Sequence, residues 1–229
     1  GSGITVVAGQ YQISDPLFKR ELRLEYEDYQ AYRVRVGEAL ADLTYDRGIM
    51  ASFSPWEGGD VALEVTNGTG LLSAGANRQY DRDDWKNLVA RYSHDFGRVR
   101  LGGFGMYGVE EQRGVRNHVR IVGPDLTMTL RPNVELNLQY LRRLDDRPFF
   151  DAPDGPRNTA VDAAFAELIW APGGPAGRVF VTGLYNRITS DEPVFTVRQG
   201  ESGFLDRYES AAAGLSYLLS RNLRLSGEA

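Results

Sequence analysis

Charges of both signs crowd one connector. Between residues 15 and 42, Lys19, Arg20, Arg23, Arg33 and Arg35 interleave with Glu21, Glu25, Glu27 and Asp28, and Tyr26, Tyr29 and Tyr32 sit among them. A connector this long is no simple hairpin. It can fold inward between the strands that flank it, or lie over their ends. Opposed cationic and acidic side chains across a narrow aqueous gap create a transverse field that sorts small solutes by charge and size. A solvated loop whose charges satisfy one another fits the same residues, and the sequence leaves both open. The one helical signal also lies here: in DPLFKRELRLEYEDYQ, Asp15 can cap a turn that has Pro16 at its first position.

Other chemistries find little to work with. There is no cysteine, which removes disulfides, thiolate metal sites and covalent haem attachment. The two histidines, His94 and His118, fall on different strand candidates near their ends, and no HExxH spacing occurs. No GxSxG occurs either. LGGFGMYG, Leu101 to Gly108, has the glycine spacing of a dinucleotide loop but opens no helix, so it reads as a strand relieved of crowding by small residues. Loop acids gather at Asp81, Asp83 and Asp84 and again at Asp145, Asp146, Asp151 and Asp154. Oxygen-rich loops can take calcium, but the EF-hand spacing is missing, and solvated acids are the plainer reading. The sequence therefore points to no enzyme, no catalytic residue, no resident metal and no cofactor.

The elements that must position the charged connector have a period of two. In VELNLQYL, Val134, Leu136, Leu138 and Tyr140 share one face, and Glu135, Asn137 and Gln139 share the other. Strand candidates run roughly over 3–14, 43–54, 60–69, 86–96, 98–109, 118–131, 133–142, 161–171, 177–189 and 208–220, with a last one starting at 222. Glu64, Arg91, Arg100, Glu135, Glu167, Asn186 and Arg224 recur in mid-strand on the polar face. Connectors alternate between tight (SPWEGGD, DFGRV, RPNV, PGGPAG, SRN) and long (TGLLSAGANRQYDRDDW, RRLDDRPFFDAPDGPRNTA, TSDEPVFTVRQGESGFLDRY), with EEQRGVRN of medium length. A half-buried sheet of a soluble domain explains each strand singly. A barrel wall between lipid and water also explains why the long connectors fall at one end. Trp56, Tyr80, Trp85, Tyr107, Phe149, Phe150 and Trp170 lie mainly near strand ends, as an aromatic belt would.

Length and charge bound these alternatives. A chain of 229 residues suits one large all-β domain, and a net charge of −5 leaves no basic surplus for nucleic acid. The N-terminal GSGITVVAGQYQ has neither basic nor apolar leader regions, which predicts no signal peptide here. No apolar run reaches the length of a transmembrane helix, whereas barrel strands cross with about 9–11 residues each.

The runs GQYQISDPLFKRELRLEYEDYQAYR, LTYDRGIM, ELNLQYLRRLDDRPFF, FAELIWAP and VTGLYNRITSD resemble outer-membrane porin-like proteins. Above all they resemble the phosphate-selective porin family and its uncharacterised relatives, in which a GQ strand enters a long loop and returns through a DRG strand. The resemblance spans nearly the whole chain. It implies an antiparallel up-and-down transmembrane β-barrel in the bacterial outer membrane, passing small hydrophilic solutes or ions. It further implies contact with membrane lipid and lipopolysaccharide, and a homotrimer whose interface the residues do not reveal. Barrels of this kind have about sixteen strands, so ten or eleven, ending in LSGEA without a terminal aromatic residue, predict a portion of a larger barrel. Under the same resemblance, Arg20, Arg23, Arg33 and Arg35 are constriction candidates, and Glu64, Arg91, Arg100, Glu135, Glu167 and Arg224 are pore-lining candidates. Lysines are too few for a phosphate ladder, with only Lys19 and Lys86 present. The alternative within this architecture is a sleeve around a separate multihaem cytochrome, for which a wide lumen with no inward loop is the expectation.

Overall fold

The computed structural model describes residues 3–13, 29–68, 70, 84–150, 152, 155–174, 176–200, 202–220 and 223–229. Its strands are β1 (Thr5–Gln12), β2 (Arg35–Val36), β3 (Tyr45–Phe53), β4 (Gly59–Thr66), β5 (Asn87–Asp95), β6 (Val99–Gln112), β7 (Val115–Arg131), β8 (Val134–Asp145), β9 (Thr159–Trp170), β10 (Val179–Ser190), β11 (Phe195–Thr196), β12 (Arg207–Ser220) and β13 (Leu223–Glu228). Eleven of them form one antiparallel up-and-down sheet in the order β1-β3-β4-β5-β6-β7-β8-β9-β10-β12-β13. β2 and β11 pair with each other alone. Among the described residues β1 and β13 are the edges and do not meet. The only helix there is the single 3-10 turn Gln30–Arg33, and none is long and apolar enough to cross a membrane. The capped turn expected at Asp15 and Pro16 lies outside the described residues.

Alternation along the strands produces two unlike faces. On the outer face, Leu63, Leu88, Val122 and Leu215 are 48%, 54%, 52% and 56% exposed. On the inner face, Glu64, Thr66, Asn87, Ser93, Asn137 and Gln139 are buried. This inverts the arrangement of a soluble sheet, in which the buried face is the apolar one. Register maintains it, because Leu63 stands opposite Ala90, and Leu138 opposite Ala166 and Leu126. A one-residue slip would exchange the faces. Along β5 to β10 the chain's own segment from Tyr29 to Thr44 covers much of the inner face. Tyr29, Tyr32, Val34, Val36, Ala41 and Leu43 join Phe104, Val119, Ile121, Phe165, Leu184 and Ile188 in one apolar cluster.

Charged and aromatic residues bound the outer apolar belt. Towards the tight turns stand Trp56, Tyr92 and Phe96, with the Trp56 ring 5.9 Å from Tyr92. Towards the long connectors stand Tyr107, Tyr140 and Tyr185, followed by Arg116, Arg120, Arg142 and Arg187.

The connector expected to be of medium length is in fact tight. β6 and β7 extend to 14 and 17 residues and are joined by Arg113 and Gly114 alone, at φ 52° and 78°. Both central residues at positive φ are the signature of the turn that matches strand twist. Gly114→Val is expected to cost about 1–2 kcal/mol, because a β-branched side chain is forced into the left-handed region. A lowered denaturant midpoint at unchanged slope is the measurement that checks it.

Candidate functional site

The inner face carries two groups of polar residues, one at each end of the strands. From the long-connector end down to Glu167, which stands opposite Asn137 towards the tight turns, the inward segment is fastened to β6, β8 and β9 by side chains those strands aim inward. Glu110 of β6 accepts the backbone N–H groups of Leu40 at 2.8 Å and Ala41 at 2.7 Å. From β8, Arg143 donates to the carbonyls of Val34 at 2.9 Å and Ala41 at 2.6 Å, and holds Asp145 with two bonds of 2.7 and 3.0 Å. Gln139 accepts the Tyr32 hydroxyl at 3.1 Å, and Glu167 of β9 accepts the Tyr29 hydroxyl at 2.7 Å. Asn137 donates to the other oxygen of Glu167 at 2.9 Å. The rings of Tyr29 and Tyr32 lie 4.5 and 5.5 Å from Phe165. Backbone bonds from Gly37 to Val194 and from Glu38 to Pro148, with the β2–β11 pair, tie the segment to two later connectors.

The segment needs these anchors because an extended chain buried on a wall has N–H and C=O groups that no regular ladder satisfies. Inward-aimed charged and amide side chains supply the missing partners, and each bond to an ionised group is worth roughly 1.5–3 kcal/mol.

Towards the tight turns the inner face stays polar and more open. Arg100 donates to Ser93 Oγ from Nε at 3.1 Å and from Nη2 at 2.7 Å, and forms an ion pair with Asp60. Arg91 donates to the same Ser93 Oγ at 3.0 Å and lies 3.4 Å from Asp125. Gly102 makes room for this group, since a Cβ there would meet the Asp125 carboxylate. Beside it, Asp95, Arg98, Arg100, Thr127, Thr129, Glu135 and Asn137 line a cleft of about 210 Å³. Two guanidiniums held in place by aspartates and a shared serine, next to hydroxyls and an amide, make a wall of fixed charges that can replace part of a solute's hydration shell.

The residues singled out by sequence divide between these groups. Arg33 and Arg35 belong to the inward segment, where Arg35 pairs with Asp42 at 2.9 Å. Glu167 is an anchor. Arg91, Arg100 and Glu135 lie at the tight-turn end, with Arg91 buried and Arg100 and Glu135 half-buried. Glu64 is buried on the inner face of β4, and Arg224 lies half-buried on the edge strand β13. Arg20 and Arg23, with Lys19, lie outside the described residues. So do Asp81, Asp83, Asp151 and Asp154, and among the described residues no three metal-ligating side chains come together. His94 accepts from the Trp56 indole at 3.3 Å, and His118 meets the Tyr107 hydroxyl at 2.8 Å. Glu110, Gln139, Arg143 and Asp125 carry the geometry but were not among the candidates. Strand alternation does place Asp125 and Gln139 on the polar face, whereas Glu110 and Arg143 fall in the connectors EEQRGVRN and RRLDDRPFFDAPDGPRNTA, and nothing local says that a distant loop will meet them.

No family model matches the sequence, and no curated protein matches it. Among solved structures, a porin refined at 1.8 Å resolution is similar, with a TM-score of 0.56 at 13% identity. The match covers 80% of this chain and 55% of the porin, so the chain spans about half the length of that protein. The likeness shows the fold, a porin-like antiparallel β-barrel wall.

Proposed function

We propose that the chain forms part of an outer-membrane porin-like channel through which small hydrophilic solutes or ions diffuse. One observation carries this reading: a single sheet with an apolar outer belt turns Glu64, Arg91, Asp125, Arg143 and Glu167 to the other face, and the chain's own segment 29–44 lies on that face. Lipid suits the outer face, and water with solute suits what the inner face leaves open. The segment is the narrowing element, and the Asp60–Arg100–Ser93–Arg91–Asp125 group with its cleft is the charged wall a solute passes. Arg33, Arg35, Glu64, Glu135, Glu167 and Arg224 keep their proposed place on the lumen side.

Ion-paired arginines and interspersed acids support selection by size and by balanced charge rather than a phosphate path. None of the matches assigns the chain to the phosphate-selective family. The cytochrome sleeve has less in its favour, because the inward segment takes up space that a sleeve would keep clear. A homotrimer and contacts with lipopolysaccharide remain proposals that follow from the barrel reading.

The test is single-channel recording of the intact protein in planar bilayers. Discrete ohmic steps are expected, and Glu110→Ala, which strips the segment of its acceptor at Leu40 and Ala41, is expected to raise the step size and the open-channel noise. Correctly folded protein that gives no steps overturns the reading.

A further inference from the structure

The outer face holds a groove as well as a belt. Ala51, Leu63, Leu88, Ala90, Gly105 and Val122 line an almost wholly apolar depression of about 940 Å³ on β3 to β7. That is within the roughly 300–1,000 Å³ range of ligand sites. Gly105 helps to keep it open: a Cβ built there meets nothing within 4 Å, and the same holds at its outward neighbour Gly103. At the long-connector end the groove is closed by Tyr107 and Arg120, which stand opposite each other across β6 and β7.

Arg120 differs from the other arginines at this level of the outer face. Arg116 is paired with Glu111 at 2.8 Å, Arg142 with Asp162 at 3.6 Å and Arg187 with Glu209 at 3.6 Å. Among the described residues Arg120 finds no ion pair and no side-chain hydrogen bond, and it is exposed. The neighbouring Tyr107 hydroxyl is already engaged by His118 at 2.8 Å. An unpaired guanidinium over an apolar groove, where the belt gives way to charge, complements a molecule with an anionic head and a hydrocarbon tail.

We propose that this groove is a seat for an anionic membrane lipid, with its phosphate on Arg120 and an acyl chain along Gly103 and Gly105. The site rests on the outer face meeting lipid, and it adds a specific lipid chemistry to that reading. The phosphate accepts a forked pair of hydrogen bonds from the guanidinium, while the chain fills space that side chains elsewhere in the belt occupy. A second copy of the protein would need its own carboxylate over Arg120, and the outer belt offers none that is not already paired among the described residues at that level.

Native mass spectrometry of the intact protein, supplied equally with phosphatidylglycerol and phosphatidylcholine of identical chains, tests the seat. Wild type is expected to retain the anionic lipid with roughly five- to tenfold preference, as one arginine at a membrane surface provides. Arg120→Gln should bring that preference close to one. Gly105→Leu, whose side chain enters open space, should abolish retention of both lipids without disturbing the fold. Equal retention by wild type, an unchanged preference in Arg120→Gln, full retention in Gly105→Leu, or a lipid-free dimer overturns the proposal. Conductance recorded on the same preparations separates the two readings, since channels without lipid preference sink the seat alone and loss of channels sinks the function above it.

Discussion

Arg143→Ala is expected to destabilise the folded chain by about 3–5 kcal/mol, the cost typical of breaking a buried ion pair from one side. The side chain is almost wholly buried, and so is Asp145, its partner. After truncation, Asp145 keeps the Asn117 amide at 2.9 Å but loses its cation, and the carbonyls of Val34 and Ala41 lose their donor. Each loss falls in a place where water cannot substitute at once. Arg143→Lys is expected to recover only part of the difference, since an ammonium cannot reproduce the planar fork. Urea unfolding of the intact protein gives the stability, and amide exchange over residues 29–44 shows where it is lost. A change below about 1 kcal/mol would mean that apolar packing alone holds the segment.

Leu138→Arg is the second large effect. Leu138 lies midway along β8 on the outer face and is 38% exposed. In a bilayer, a charge at that depth is expected to cost roughly 2–4 kcal/mol. In water, the same substitution on a half-exposed strand surface stays within about 0.5 kcal/mol. Folding equilibria measured in lipid vesicles discriminate between the two. A neutral result in vesicles would remove the lipid-facing role of the belt, whatever the channel does.

Much of this architecture was legible in period-two patterning, and the exceptions are instructive. Eleven strand candidates correspond to the eleven strands of the sheet, because residues such as Leu138 and Tyr140 against Asn137 and Gln139 need no tertiary information to sort. The β6–β7 hairpin read as longer than two residues because Glu110, Glu111, Gln112, Arg116 and Asn117 look like loop residues until their partners are known. β2 and β11 escaped notice because each contributes two residues, and each finds its partner far along the chain. The first connector gave the least away. Its charges suggested a solvated or constricting loop, while what fixes residues 29–44 is the packing of Tyr29, Tyr32, Val36 and Leu43, with anchors from Glu110, Arg143 and Glu167, on a wall they meet only in three dimensions. The small residues of LGGFGMYG read correctly as a strand, but their division into an inner pair that accommodates Asp125 and Asn87 and an outer pair that faces open space is set by neighbours on β5 and β7.

The anchors of segment 29–44 impose an order on assembly. Leu40 waits for a carboxylate 70 residues later, Val34 for a guanidinium 109 residues later, and Tyr29 for an acceptor 138 residues later. Segment 29–44 is therefore synthesised before the strands it docks on, and it is among the last pieces able to dock, since closing loops of that size before the distant strands exist carries entropy with no compensating contact. Until then its tyrosines and valines stay uncovered, which makes this stretch the part of the wall most open to wrong association before docking.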